Sequence, residues 1–284
     1  MNDSSIPLSR MTVVGVGLLG GSVALAIRRA MPETQIHGVI RNPEARQQAV
    51  ALGIVDRAFE SVPQACEGSD VVVLATPVDH IAALAAEAAG VLATDALITD
   101  VGSTKQTIVD ATAKHDQVHR RFVAAHPIAG SEKTGMRHST AELMDGKTII
   151  ITPHQDSMEA MVAKAESFWK LTGGQIVVMS PQEHDQRLAA ISHVPHLIAS
   201  LVALQADPES LPLVGSGWKD ITRVAAGDPT MWHAICQENR EAILKQLSLV
   251  RDSLDDLQCK VRSDEPETLI QWLQKAKAIR DQVE

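Results

Sequence analysis

Basic runs are absent from this 284-residue chain: Lys and Arg number 26 against 35 Asp and Glu, a net charge of −9. That balance argues against nucleic-acid binding through a charged face. Cysteines are few. Cys66, Cys236 and Cys259 are far apart, odd in number and in no metal-like spacing, which rules out a disulfide framework and fits a reducing compartment. No run reads as long enough to span a membrane. The opening Met1-Asn2-Asp3-Ser4-Ser5-Ile6-Pro7 has neither a basic nor an apolar segment of the signal-peptide kind. A cytoplasmic protein without membrane or nucleic-acid partners is the expectation. Tyrosine is missing altogether, and no mechanism follows from that. What is present is apolar material, 45% of the residues, enough for a large core and two domains.

Met11-Thr12-Val13-Val14 reads as a short buried strand leading into Gly15-Val16-Gly17-Leu18-Leu19-Gly20-Gly21-Ser22. This is G-x-G-x-x-G with a strand before it and a helical pattern (Val23, Ala24, Ala26, Ile27) after it, the context a dinucleotide site requires. Gly15 would make the tight turn, Gly17 would let a pyrophosphate reach the backbone, and Gly20 would let helix and strand pack closely. Leu18 and Leu19 belong to the same turn, and Thr76 and Pro77, just past the strand Asp70–Ala75, join the cofactor-binding set. An NAD site usually has an acid at the end of the second strand. Here that end reads Val39-Ile40-Arg41-Asn42-Pro43. Arg41, backed by Arg46, suits a 2′-phosphate, so NADP is favoured and NAD remains possible. Alternatively, Arg41 is a solvated strand-end charge.

Up to about residue 180 strands and helices alternate, which predicts an α/β fold of the Rossmann type: a doubly wound, mainly parallel sheet covered on both faces. Beyond Ser180-Pro181 the strand signals stop. Residues 183–205 have helical period with an expected kink at Pro195. Asp228-Pro229 opens a helix whose apolar residues (Met231, Ile235, Ile243, Leu247, Val250, Leu254, Leu257) recur over almost 30 residues, and Asp264-Glu265-Pro266 starts a last one. The expected organisation is a dinucleotide-binding domain over 1–180 and an all-helical domain over 181–284 for substrate binding and dimerisation. The long apolar stripe reads as partly a subunit interface and alternatively as domain core.

Four further clusters can carry chemistry. His126, in His126-Pro127-Ile128-Ala129-Gly130-Ser131-Glu132, is placed on a loop leaving the strand Phe122–Ala125; Pro127 holds its backbone extended and Glu132 is the nearest acid. Asp100-Val101-Gly102-Ser103-Thr104-Lys105 lies at a strand's carboxyl end, where Ser103 either contacts a ligand or forms a capping box with Gln106. Ile191-Ser192-His193-Val194-Pro195-His196 sets two histidines three apart, with no third metal ligand in view; anion contact and a plain surface His compete there. Trp218-Lys219-Asp220-Ile221-Thr222-Arg223, followed by Asp228-Pro229-Thr230-Met231-Trp232, offers Lys219, Arg223 and Trp232 as a carboxylate site, or as solvated charges beside a core Trp.

Taken together and in this order, GxGLLGGS, DVGSTK, AHPIAGSEKTG, ISHVPH, KDITR and DPTMW resemble the prephenate/arogenate dehydrogenase family of tyrosine biosynthesis, over about residues 10–257. The resemblance implies a two-domain homodimer that oxidises and decarboxylates a small cyclohexadienol with a nicotinamide cofactor and no metal. By matching position, His126 would be catalytic, with Ser103 supporting it and the nicotinamide. Glu132 would lie behind them. His193 and Arg223 would meet the substrate carboxylates, with Lys219 and Trp232 nearby. The resemblance also implies a bare catalytic core, with no mutase region before it and little room for a regulatory domain after it. The missing acid after the second strand departs from NAD-preferring members. Two other readings fit the fingerprint: another NADP-dependent dehydrogenase, of the β-hydroxyacid type, and a non-catalytic NADP-binding protein.

Overall fold

The computed structural model describes residues 8–130 and 133–283. Its first layer is a five-stranded, all-parallel sheet of β1 (Arg10–Val14), β2 (Gln35–Val39), β3 (Arg57–Phe59), β4 (Val71–Leu74) and β5 (Leu97–Asp100), in the order β3-β2-β1-β4-β5. α1 (Leu18–Ala30), α2 (Pro43–Ala51), α3 (Val62–Cys66) and α4 (Ile81–Ala89) connect them. β4 is Val-Val-Val-Leu and wholly buried, the unbroken apolar run that a strand covered on both faces requires. Strand order reverses between β1 and β4, and the glycine loop opens at that reversal, where α/β sheets bind ligands. β3 escaped the sequence reading because its three residues show no alternation.

After α5 (Gln106–Ala113) and α6 (Asp116–His119) comes a departure from the expected single sheet. β6 (Ala124–Pro127), β7 (Thr148–Thr152) and β8 (Gln175–Val178) form a second, three-stranded sheet, with α7 (Glu159–Leu171) between β7 and β8. β6 runs antiparallel to β7, and β8 parallel to it. One parallel bridge, Ile98 to Phe122, links the two sheets, so Phe122 lies outside the strand it was expected to open.

α8 (Pro181–Leu188), a π-helical turn (Ala189–His193) and α9 (Val194–Leu204) form one helical stretch. Pro195 has no N–H for the carbonyl four residues back and its ring would crowd that carbonyl; the wide turn just before it absorbs the conflict that a kink was expected to absorb. This stretch, Pro181–Leu204, is long and apolar enough by composition to cross a membrane, which corrects the expectation that no run is. Its His184 and Asp185 are nevertheless buried and bonded within the α/β part.

α10 (Ser216–Thr222) and α11 (Pro229–Glu238) follow. The expected 30-residue helix is broken at Asn239, whose backbone leaves helical geometry (φ −111°, ψ 32°) before α12 (Arg240–Arg262) and α13 (Pro266–Arg280). Asn239 is buried, and its side-chain amide donates to the Asp185 carbonyl at 2.8 Å. The chain forms two compact units, Met1–Asn239 and Arg240–Glu284. The expected division near 180 marks the change from alternating to helical sequence, whereas α8–α11 pack with the sheets: Asp185 in α8 caps α5, and Thr107 in α5 donates to the Glu238 carbonyl at 3.0 Å.

Candidate active site

The glycine loop is built for close approach. Gly15 has φ +92°, and a Cβ there would lie 2.5 Å from the Ala75 carbonyl oxygen. A Cβ on Gly20 would lie 2.2 Å from the Gly15 carbonyl oxygen, so this glycine lets α1 sit against the loop. Above Gly17 nothing comes within 4 Å. That open space is where a phosphate can reach the backbone N–H groups at the start of α1. Gly15, Gly17, Arg41, Thr76 and Pro77 all line one cleft of about 610 Å³. Thr76 Oγ1 is buried there without a hydrogen-bond partner, a group a bound ligand would satisfy. These features fit a dinucleotide. Leu18 starts α1, and Leu19 packs on the core, so its side chain serves the fold.

Arg41 is exposed on the cleft wall. The expected support from Arg46 does not materialise: its Nη1 donates to the carbonyls of Ile40 and Arg41, both at 2.9 Å, and holds the turn into α2. Glu60, just past the unforeseen β3, lines the same cleft and lies 3.6 Å from Arg46.

His126 is the third residue of β6, paired with Ile150, rather than a loop residue. β6 is tied to β5 by side chains: Asp100 Oδ1 accepts the Ala125 N–H (2.9 Å), and fully buried Lys105 donates to the Ala125 carbonyl (2.9 Å) and to Asp100 Oδ2. His126 therefore sits just beyond the carboxyl end of β5, on the sheet edge where the glycine loop opens. With Pro127, Ile128, Ala129, Leu188, Ile191 and Ser192 it lines a hollow of about 350 Å³. Its Nδ1 is 2.8 Å from Nε2 of His184, and Nδ1 of His184 is 2.8 Å from Asp185 Oδ1. Asp185 also accepts the N–H groups of Lys105 and Gln106, both at 2.9 Å, and so caps α5. This overturns the capping box: Ser103 makes no cap, and the Gln106 side chain donates to Asp110 instead. His126 is half-buried; desolvation pushes it well below the ordinary histidine value, and His184, Lys105 and His193 push the same way.

His193 is buried at the end of the π turn, 1% exposed, and its Nδ1 is 3.1 Å from the Asn239 amide nitrogen. Nε2 has no partner. Burial brings its pKa down to about 4, so at neutral pH it offers a hydrogen bond and no charge. Trp232 stacks on His196 at 3.4 Å and meets His193 edge-on at 6.2 Å. It is half-buried, part platform and part core. Ser103 is half-buried between β5 and α5, while Lys219 and Arg223 are exposed at the end of α10 and line neither cleft nor hollow. Glu132 lies outside the described residues. His184, Asp185, Asn239 and the Asp100–Lys105 pair went unnoticed in the sequence. Asp100 and Lys105 flanked the DVGSTK reading, but nothing in sequence joins His184-Asp185 to His126. Among the described residues one group has metal-ligand character, His119, His154 and Asp156, with ligand atoms within 4.8 Å of one another. His154 Nδ1 already accepts the Asp156 N–H at 3.1 Å, so one of its nitrogens is committed to a local turn.

The model of the prephenate dehydrogenase nucleotide-binding domain matches residues 23–178, and that of the prephenate dehydrogenase dimerization domain matches 180–275. The glycine loop precedes the first match and rests on its own geometry. The prephenate dehydrogenase of Bacillus subtilis is 35% identical over 276 residues, 95% of this chain and 74% of that protein. The cyclohexadienyl dehydrogenase of Zymomonas mobilis is 30% identical over 95% of this chain and 94% of its own length. The crystal structure of the prephenate dehydrogenase of A. aeolicus, in complex with hydroxyphenyl propionate and NAD+, superposes with a TM-score of 0.91 at 33% identity, covering 99% of this chain and 100% of that one. With both domain models matched in series and the Rossmann architecture in place, the chain belongs to the prephenate dehydrogenase family of oxidoreductases.

Proposed function

We propose that this enzyme oxidises and decarboxylates prephenate, arogenate or both, giving 4-hydroxyphenylpyruvate or tyrosine, CO2 and reduced cofactor, with NADP preferred. The observation that carries the reading is the position of His126, a histidine kept neutral by burial at the sheet edge where the dinucleotide cleft opens. The bound nicotinamide supplies the hydride acceptor. Gly15, Gly17 and Thr76 hold the dinucleotide, and Pro127 keeps the His126 backbone extended beside the substrate hollow. His126 takes the ring hydroxyl's proton as the alcohol becomes a ketone. That ketone is conjugated with the diene and accepts electrons as the ring carboxylate leaves, and aromatisation makes the step irreversible. The chain need supply only position and a base of moderate strength.

Ser103 supports His126, while Arg223, His193, Lys219, Trp232 and Glu132 receive the substrate, Arg223 pairing with a carboxylate. Arg41 pairs with a 2′-phosphate, and Glu60 on the same wall keeps NAD admissible by accepting a ribose hydroxyl. The working form is a homodimer through the helical region; the second unit, taken alone, exposes Leu249, Leu254, Leu273 and Ile279. Formation of reduced cofactor with prephenate or arogenate, in the presence of NADP or NAD, tests the reading. Turnover with neither acid would refute the substrate assignment, and a higher kcat/KM with NAD would refute the cofactor preference.

A further inference from the structure

Asp185 and His184 form the only buried polar chain that ends on His126 among the described residues, and the hydrogen bonds in it fix where the protons are. Both Asp185 oxygens accept backbone N–H groups, from Lys105 and Gln106. A carboxylate so used is an acceptor, so at 2.8 Å the Nδ1 of His184 must carry a proton and donate it to Oδ1. A neutral His184 then has its lone pair on Nε2. At 2.8 Å from that lone pair, Nδ1 of His126 must in turn be the donor. Nε2 of His126 is left unprotonated and available to the hollow. A histidine side chain in water prefers the opposite tautomer, with the proton on Nε2, which would present a donor to the substrate hydroxyl instead of a base.

We infer that His184 and Asp185 are positioning residues for the oxidation: they hold His126 in the Nδ1–H tautomer, aim its Nε2 lone pair at the substrate hydroxyl, and carry the charge that His126 gains. In the step itself the hydroxyl O–H breaks and its proton ends on His126 Nε2. The Nδ1 proton shifts toward His184 Nε2, and the positive charge is shared with a ring that already faces a carboxylate. Nothing buried is left uncompensated, which matters because an unpaired charge at this depth would raise the barrier. Asp185 itself is held by the first N–H groups of α5, where the helix dipole favours a negative charge. Lys105, from the same turn, is occupied by Asp100 and faces the chain without joining it. The inference rests on His126 being the base, and the test separates the two.

The direct test is the tautomer. In wild-type enzyme with ¹⁵N-labelled histidine, long-range ¹H–¹⁵N correlation should show His126 protonated at Nδ1 near neutral pH; protonation at Nε2 overturns the inference whatever the variants do. The kinetic test compares His184→Leu with His184→Gln. Leucine removes the acceptor. Glutamine can present its amide oxygen to His126 and its NH₂ group to Asp185, which preserves the tautomer. His184→Leu should lower kcat by about 100-fold, at the low end for a positioned acid–base group, with KM and cofactor affinity changed less than about threefold. His184→Gln should recover about tenfold or more of that loss. Leucine retaining over about half of wild-type kcat, or glutamine no better than leucine, would sink the relay. If His126→Asn is inactive in the same series, His126 remains the base and only the relay fails.

Discussion

Alanine at Gly17 and at Gly20 should separate cofactor binding from folding, two roles that one glycine motif combines. At Gly17 the backbone (φ −99°, ψ −152°) suits any residue, and a Cβ would meet no atom within 4 Å. Alanine is a poorer helix N-cap than glycine, but it also stiffens the unfolded chain; the two effects oppose each other at about 0.5–1 kcal/mol each, so stability should be nearly unchanged. The new methyl does occupy the space through which a pyrophosphate must approach. Taking the ~1–3 kcal/mol typical of overpacking, cofactor Kd should rise about 5- to 160-fold. At Gly20 the Cβ would lie 2.2 Å from the Gly15 carbonyl oxygen and 2.9 Å from both Val13 and Ala75. Backbone cannot yield as a flexible side chain does. Alanine's helix propensity returns only ~0.5–1 kcal/mol, against a penalty at or above the top of that overpacking range, so Gly20→Ala should lose ~1–3 kcal/mol or fail to fold. Thermal melts without cofactor and fluorescence titration with NADP read the two quantities separately. Wild-type cofactor affinity in Gly17→Ala would show that no phosphate sits over this loop.

His126→Asn should lower kcat by about 10²–10⁴-fold with substrate and cofactor constants changed only a few-fold. Because desolvation holds this half-buried ring below its ordinary 6.5, wild-type kcat should be level across neutral pH and fall only at a lower pH; a midpoint at or above 6.5 would contradict a neutral His126 as the proposed base. Arg41→Ala should raise KM for NADP and leave KM for NAD within about twofold, as expected of a residue that meets only the 2′-phosphate; equal effects on both would make Arg41 a solvated charge. Arg223→Ala should weaken substrate binding by about 1.5–3 kcal/mol, the range for a hydrogen bond to a charged group, while cofactor affinity holds; an unchanged substrate constant would remove its carboxylate role. His193 binds its proton at about pH 4 in the fold and 6.5 in the unfolded chain, so its contribution is intact above 6.5 and lost as pH falls toward 4. At ~1.4 kcal/mol per unit the loss is ~3 kcal/mol. Urea midpoints that stayed equal from pH 7 to about pH 4.5 would show that this ring charges freely in the fold.

The parts of the molecule that were legible in sequence are those where chemistry is local. Gly15, Gly17 and Gly20 announce a turn that only glycine permits, flanked by the strand and helix that give it meaning. The Val-rich β4 and the alternation up to Met179 carried the fold class. β3 was too short to show a period, and the second sheet was invisible because strand length and composition do not say which neighbour a strand chooses. The break at Asn239 was hidden for a different reason. Helical period continues through it, and the side-chain bond that draws Asn239 inward goes to Asp185, 54 residues away. His126 was found but assigned to a loop, and its partner His184 was not, since 58 residues separate them. Lys105 drew no reading of its own as the end of DVGSTK and is among the largest wholly buried side chains of the described residues.

That lysine changes how the strand carrying His126 is held. Ordinarily a neighbour is fixed to a sheet by a ladder of identical rungs, and a slip of one residue simply finds the next rung. Between β5 and β6 the rungs give out after Val123, and both backbone groups of Ala125 are gripped by the opposite charges of Asp100 and Lys105. Such a fastening has one address. It fixes a single residue, the one immediately before His126, and offers no second register to fall into. The placement of His126 is therefore written in two side chains that line neither the cleft nor the hollow. On the role proposed for His126, drift at either of them should lower turnover more than it weakens binding.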